Sequence, residues 1–95
     1  MLVVYAKCIV SAQNVDEFLS LAKELVNETR KEESNISYEL IKEKGDKSLY
    51  AFLEKWPNKE ALDLHMETSH FTRLIPQIEK VVIGGVDIAV HDLIV

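Results

Sequence analysis

Histidine is the side chain best placed to take or give a proton near neutral pH, and two of this chain's three histidines fall in one short stretch. His65 and His70 follow a run in which Phe52, Glu54 and Trp56 alternate along the chain, and Phe71 closes the stretch. Alternate residues of a strand share a face. Tyr50, Phe52, Glu54 and Trp56 would therefore lie on one side, and Leu49, Ala51, Leu53 and Lys55 on the other. Leu49, Ala51 and Leu53 suit packing against helices, which assigns the aromatic set to the face that helices leave open. Three aromatics and one carboxylate on that face read either as an interface between two copies or as an aromatic-lined pocket with one polar handle. The residues leave both readings open.

Other chemistries find less support. Two metal ligands on one helix face want a spacing of four. His65 and His70 are five apart across an expected break, His91 lies on a distant strand, and no metal site is expected. Ser69-His70 lacks the glycines of a nucleophile elbow. The three glycines, Gly45, Gly84 and Gly85, form no phosphate-binding loop, so neither nucleotide nor flavin has a fingerprint. Tyr5, Tyr38 and Tyr50 could donate hydrogen bonds, although strand tyrosines are more often core or edge residues.

The elements that must position these residues follow from periodicity. Leu2 to Val10 is β-branched and apolar and reads as a central strand. Asn14 is a good N-cap, with Glu17 three residues on. Val15, Phe18, Ala22, Leu25, Val26 and Thr29 then make one buried helical stripe ending near Glu33. Ile36 to Glu43 and Ser48 to Trp56 read as strands joined at Gly45-Asp46, with positive φ expected at the glycine. Asn58 opens a second helix through Ala61, Leu62, His65 and Met66. Thr68-Ser69 interrupts it, and a shorter piece carries Phe71, Leu74, Ile75 and Ile78 until Pro76 kinks or ends it. Val81 to Val95 holds the last strand, with a bend or bulge at Gly84-Gly85. The order is βαββαβ: an α+β, ferredoxin-like fold with a four-stranded antiparallel sheet and helices on one face, in a single domain over residues 1–95.

Composition narrows the partners. A net charge of −5 and no basic run argue against nucleic acid. Lys23, Arg30 and Lys31 lie among Glu24, Glu28, Glu32 and Glu33, as on a solvated helix face. The single cysteine, Cys8, allows no internal disulfide and reads as a small buried hydrophobe. No stretch approaches the ~20 apolar residues of a membrane span, and the apolar N-terminus lacks the basic region and cleavage site of a signal peptide. A cytoplasmic protein with no membrane partner is expected. The 47% hydrophobic content leaves apolar surface that dimerisation commonly covers.

The run Phe52-x-Glu54-x-Trp56, then Glu60-Ala61-Leu62, then His65 to His70-Phe71, resembles the antibiotic biosynthesis monooxygenase family. The segment from Arg30 to Tyr38 resembles that family's link into its second strand, except that Asn35 stands near a usual glycine. The resemblance implies a dimeric α+β barrel, a homodimer in which two sheets pack face to face. It implies a cofactor-independent monooxygenase acting with O2 on a quinol-like or phenolic small molecule. The electron-rich phenolate itself reduces O2, and the protein supplies a dry pocket and a base. His65 is then the candidate catalytic base. Phe52, Trp56 and Phe71 are candidate walls, Glu54 an orienting group, and His70 and Tyr38 complete the expected substrate-binding set. The family's haem-degrading branch is not expected. The region near Ala6 and Lys7 lacks its asparagine, His65 stands where it has a tryptophan, and its ligand position falls near Ile75. The alternatives are an isomerase of a small polar or phosphorylated signalling molecule, which would want Lys7, Lys42 or Lys55 in the cavity, and a non-catalytic dimeric ligand-binding module.

Overall fold

The computed structural model describes residues 1–95. Its elements are β1 (Leu2–Ile9), α1 (Val15–Thr29), β2 (Ser37–Lys42), β3 (Leu49–Trp56), α2 (Lys59–Glu67), α3 (Ser69–Val81) and β4 (Ile83–Asp92), with a 3₁₀ turn at Ala12–Asn14 before α1. The strands form one sheet in the order β2-β3-β1-β4, and all three pairings are antiparallel. This is the expected ferredoxin-like arrangement, with β1 and β3 central.

The helical stripe of α1 buries Phe18, Ala22, Leu25, Val26 and Thr29, and α3 adds Leu74, Ile78 and Val81. From β1 the sheet contributes Val4, Ala6 and Cys8 to the same core. Fully burying an aromatic such as Phe18 contributes roughly 1.5–3 kcal/mol, so α1 is held by packing more than by its ends. Cys8 is a free, fully buried thiol that burial pushes up to about 12.

The aromatic face of β3 is the main correction. Residues directly opposite in an antiparallel pair share a face. Tyr50 pairs with Cys8, Phe52 with Ala6 and Glu54 with Val4, so all three look toward the helices. The Phe18 ring meets Tyr50 at 5.2 Å and Phe52 at 6.4 Å. Bulky rings fill the space between sheet and helices at the density a core needs. Leu49, Ala51 and Leu53 lie on the other, helix-free face. There Leu53 pairs with Tyr5, and Tyr5 with Ala89.

Local details also depart from expectation. Asn14 precedes α1 but its side chain makes no capping bond. The helix ends at Thr29, a turn before Glu33, and residues 30–36 form a hydrogen-bonded link. Gly45 is not among the positive-φ residues. The β2–β3 turn is held instead by Asp46, whose Oδ1 accepts from the Ser48 amide and hydroxyl, an Asx-type closure. Pro76 neither ends nor shortens α3, which runs on for 13 residues. Gly84 and Gly85 do bend the start of β4, at φ +76° and +77°, beside a register shift between Lys7 and Ile9.

Candidate functional site

The site forms where the end of β3, the α2–α3 junction and the α1–β2 link meet. Asn58 Oδ1 accepts from the Ala61 amide at 2.9 Å and starts α2. Thr68, in extended conformation, both ends α2 and caps α3. Its Oγ1 donates to the His65 carbonyl at 2.7 Å and accepts from the Phe71 amide at 3.3 Å. The break expected at Thr68-Ser69 is thus a built corner, and it turns His65 and His70 toward the same point.

That point is Glu32. Its Oε2 lies 2.7 Å from His65 Nδ1 and 2.7 Å from His70 Nε2. His65 is 1% exposed, and burial is the main reason its proton affinity falls below that of an ordinary histidine, with the bond to Glu32 opposing the fall. The contact is therefore that of a neutral imidazole donating Nδ1–H to a carboxylate rather than a full ion pair. In that tautomer Nε2 keeps its lone pair, and it is buried with no hydrogen-bond partner.

The ring of His65 is boxed by aromatics. Trp56 lies at 4.6 Å, Tyr38 at 5.4 Å and Phe71 edge-on at 5.0 Å. Phe52 stands one layer behind, 5.6 Å from Tyr38. Behind Trp56 is Glu54, whose Oε1 accepts from the indole Nε1 at 3.0 Å. Glu54 is 5% exposed. Burial pushes its carboxyl up to about 7, against the lowering effect of the Trp56 bond. The two glutamates thus play different parts: Glu32 bonds His65 at the rim, and Glu54 lies in the interior, joined to Trp56.

Tyr38, Phe52, Glu54, Trp56, His65, His70 and Phe71 are brought together as a group, with Phe52 supporting Tyr38 rather than touching His65. Glu32 is the residue that sequence reasoning missed. Read as part of a solvated helix face, it lies beyond the helix, with its side chain only 15% exposed. The same link holds Arg30, whose Nε donates to the Tyr38 carbonyl at 2.9 Å. Lys7, Lys42 and Lys55 do not converge on the site. Lys7 sits 4.0 Å from Asp87, Lys42 lies over the Tyr50 ring at 6.0 Å, and Lys55 is exposed. The one cleft of the chain, about 300 Å³, lies between α1 and β2 at Lys23, Val26, Asn27, Arg30 and Leu40, not at His65.

The fold and this cluster define a ferredoxin-like α+β protein with a histidine–carboxylate site between sheet and helices. The family model described as antibiotic biosynthesis monooxygenase matches residues 1–77. A Bacillus subtilis (strain 168) protein named "Putative monooxygenase YcnE" is 32% identical over 93 residues, 98% of each chain. Among solved structures, one described as an antibiotic biosynthesis monooxygenase superposes with a TM-score of 0.92 at 35% identity, covering 99% of both chains. A conserved protein from Methanosarcina mazei Go1 gives 0.92 at 31% identity over 95% of this chain and 89% of its own. The chain belongs to the antibiotic biosynthesis monooxygenase family.

Proposed function

We propose that this chain is a cofactor-independent monooxygenase that oxidises a quinol-like or phenolic small molecule with O2, as a homodimer, with His65 as the base. The observation that carries this reading is His65 itself. Glu32 fixes Nδ1, and Nε2 is a buried, unpartnered nitrogen among Tyr38, Trp56 and Phe71. A base oriented through its other ring nitrogen, in apolar surroundings, suits removal of a phenolic proton. The resulting phenolate gives an electron to O2, and recombination at a ring carbon forms a hydroperoxide. Loss of water then leaves a quinone: one oxygen atom enters the product, the other leaves as water, and four electrons pass from substrate to O2. No group beyond substrate, O2 and base enters that balance.

Of the three rings around His65, Phe71 alone is not buried, and in this reading a flat substrate enters past it. The second copy covers the helix-free sheet face, where Tyr5 and Leu53 pair and Ile9 and Ile41 are exposed. The isomerase alternative gains nothing from Lys7, Lys42 and Lys55, which lie away from His65.

The test is oxygen uptake with a panel of quinols, comparing wild type with His65→Ala. Removing a general base costs about 10²- to 10⁴-fold. Turnover that survives the substitution removes His65 as base, and a wild type that turns over no phenol overturns the monooxygenase reading.

A further inference from the structure

We propose that Glu32, His65 and His70 form a binding site for a first-row divalent transition-metal ion. The three donor atoms, Glu32 Oε2, His65 Nδ1 and His70 Nε2, lie within 4.8 Å of one another. Two imidazoles and one carboxylate are the donor set of catalytic zinc sites and of non-haem iron sites.

The donors come from two separate parts of the chain and are held before any ion arrives. His65 is fixed in the core at the end of α2, His70 in the first turn of α3, and the Thr68 corner sets the angle between them. Glu32 approaches from the α1–β2 link, 33 and 38 residues away in sequence. A spacing of five on a continuous helix would splay the two imidazoles. Across this corner it converges them.

The three donor atoms are close enough for one ion to gather them after modest shifts. Around a tetrahedral ion bound at about 2.0–2.1 Å, neighbouring donor atoms stand about 3.3 Å apart. The carboxylate oxygen is 2.7 Å from each nitrogen, so each separation must open by about 0.6 Å. Glu32 lies on a link rather than in a helix, where such a shift is easily made. Its side chain is 15% exposed and that of His70 13%, so ion and water reach the cluster from that side, and water completes the coordination shell. Binding replaces the hydrogen bonds now made to Glu32, and a neutral ring moves its proton to its other nitrogen rather than releasing it. A metal on Nδ1 obliges the neutral His65 ring to carry its proton on Nε2. The metal-loaded form thus lacks the free lone pair that the proposed oxidation uses.

The experiment needs no substrate, so its outcome is separate from that of the oxidation. Chelator-treated protein is titrated with Co²⁺, followed by its visible d–d absorption, and with Zn²⁺ by calorimetry. One ion per chain is expected, with Zn²⁺ displacing Co²⁺. Glu32→Gln and His70→Ala should each weaken binding at least tenfold, while His91→Ala, which alters an exposed histidine on β4, leaves it unchanged. His70 is near the surface, so its variant remains informative if Glu32→Gln folds poorly. Absence of saturable binding overturns the site. Wild-type affinity in either cluster variant, or an equal loss in His91→Ala, also overturns it.

Discussion

Glu54→Gln isolates the energetic consequence of a carboxyl buried behind Trp56. The Glu54 carboxyl titrates at about 7 in the folded chain against an ordinary 4.5. The folded state therefore holds the proton more tightly than the unfolded state. Below the ordinary value both states are protonated, and the carboxyl contributes no difference. As pH rises from 4.5 toward 7, the unfolded state ionises first and stability falls. Above 7 both states are ionised and the loss stays constant. With each tenfold in proton affinity worth about 1.4 kcal/mol, the full loss is about 3 kcal/mol. Glutamine can still accept from Trp56 Nε1 but cannot ionise. In urea unfolding at fixed protein concentration, the stability of Glu54→Gln relative to wild type should rise by ~2.5 kcal/mol between about pH 5 and about pH 8. For a domain of this size that is a relative shift in melting temperature of about 10–20 °C. His65 acts in the opposite sense: its folded-state value is lowered, so its own contribution rises with pH through the ordinary histidine range. That contribution is common to both proteins and largely cancels in their difference. A difference that stays flat from acid to alkaline pH would refute the claim that Glu54 is held protonated by burial.

Trp56→Phe removes the indole donor that lies 3.0 Å from Glu54; it should cost about 1–3 kcal/mol, more above neutral pH than below, as read by urea unfolding at both. Thr68→Ala removes the cap of α3 and the hydroxyl bond to the His65 carbonyl; a stability loss of about 1 kcal/mol should come with a fall in quinol turnover, and unchanged turnover would mean the corner does not position His65. Leu53→Glu puts a charge at the centre of the helix-free face; light scattering at micromolar concentration should find a wild-type dimer and a monomeric variant, and a monomeric wild type would count against the proposed assembly.

Periodicity made the elements legible because each carried its own local signal. The stripe from Val15 to Thr29, the alternation in β2 and β3, and Asn58 before α2 report on one helix or strand at a time, and a four-strand antiparallel order follows from their sequence. Pro76 does not end α3, because Leu74 and Ile78 on either side are fully buried and hold the helix to the core. Gly45 misled because an aspartate side chain can close a turn without positive φ.

The orientation of β3 and the role of Glu32 were not legible, for a shared physical reason: each depends on a partner distant in sequence. Both faces of β3 carry apolar residues, so alternation shows that the faces differ and not which one meets the helices. Phe18, more than 30 positions upstream, decides it, and once Tyr50 and Phe52 pack under α1, strand parity also carries Glu54 inward. A buried carboxylate there is tolerable only because Trp56 donates to it and because a proton can remain bound. Glu32 is the complementary case. Nothing in a run of alternating charges separates it from Glu28 or Glu33; what distinguishes it is that α1 stops at Thr29, which frees the next residues to turn back over the α2–α3 corner. The resemblance to the family could point to His65, but it is this departure from the helix that supplies its partner. The acid–base character of the site therefore resides as much in where α1 ends as in the two histidines themselves.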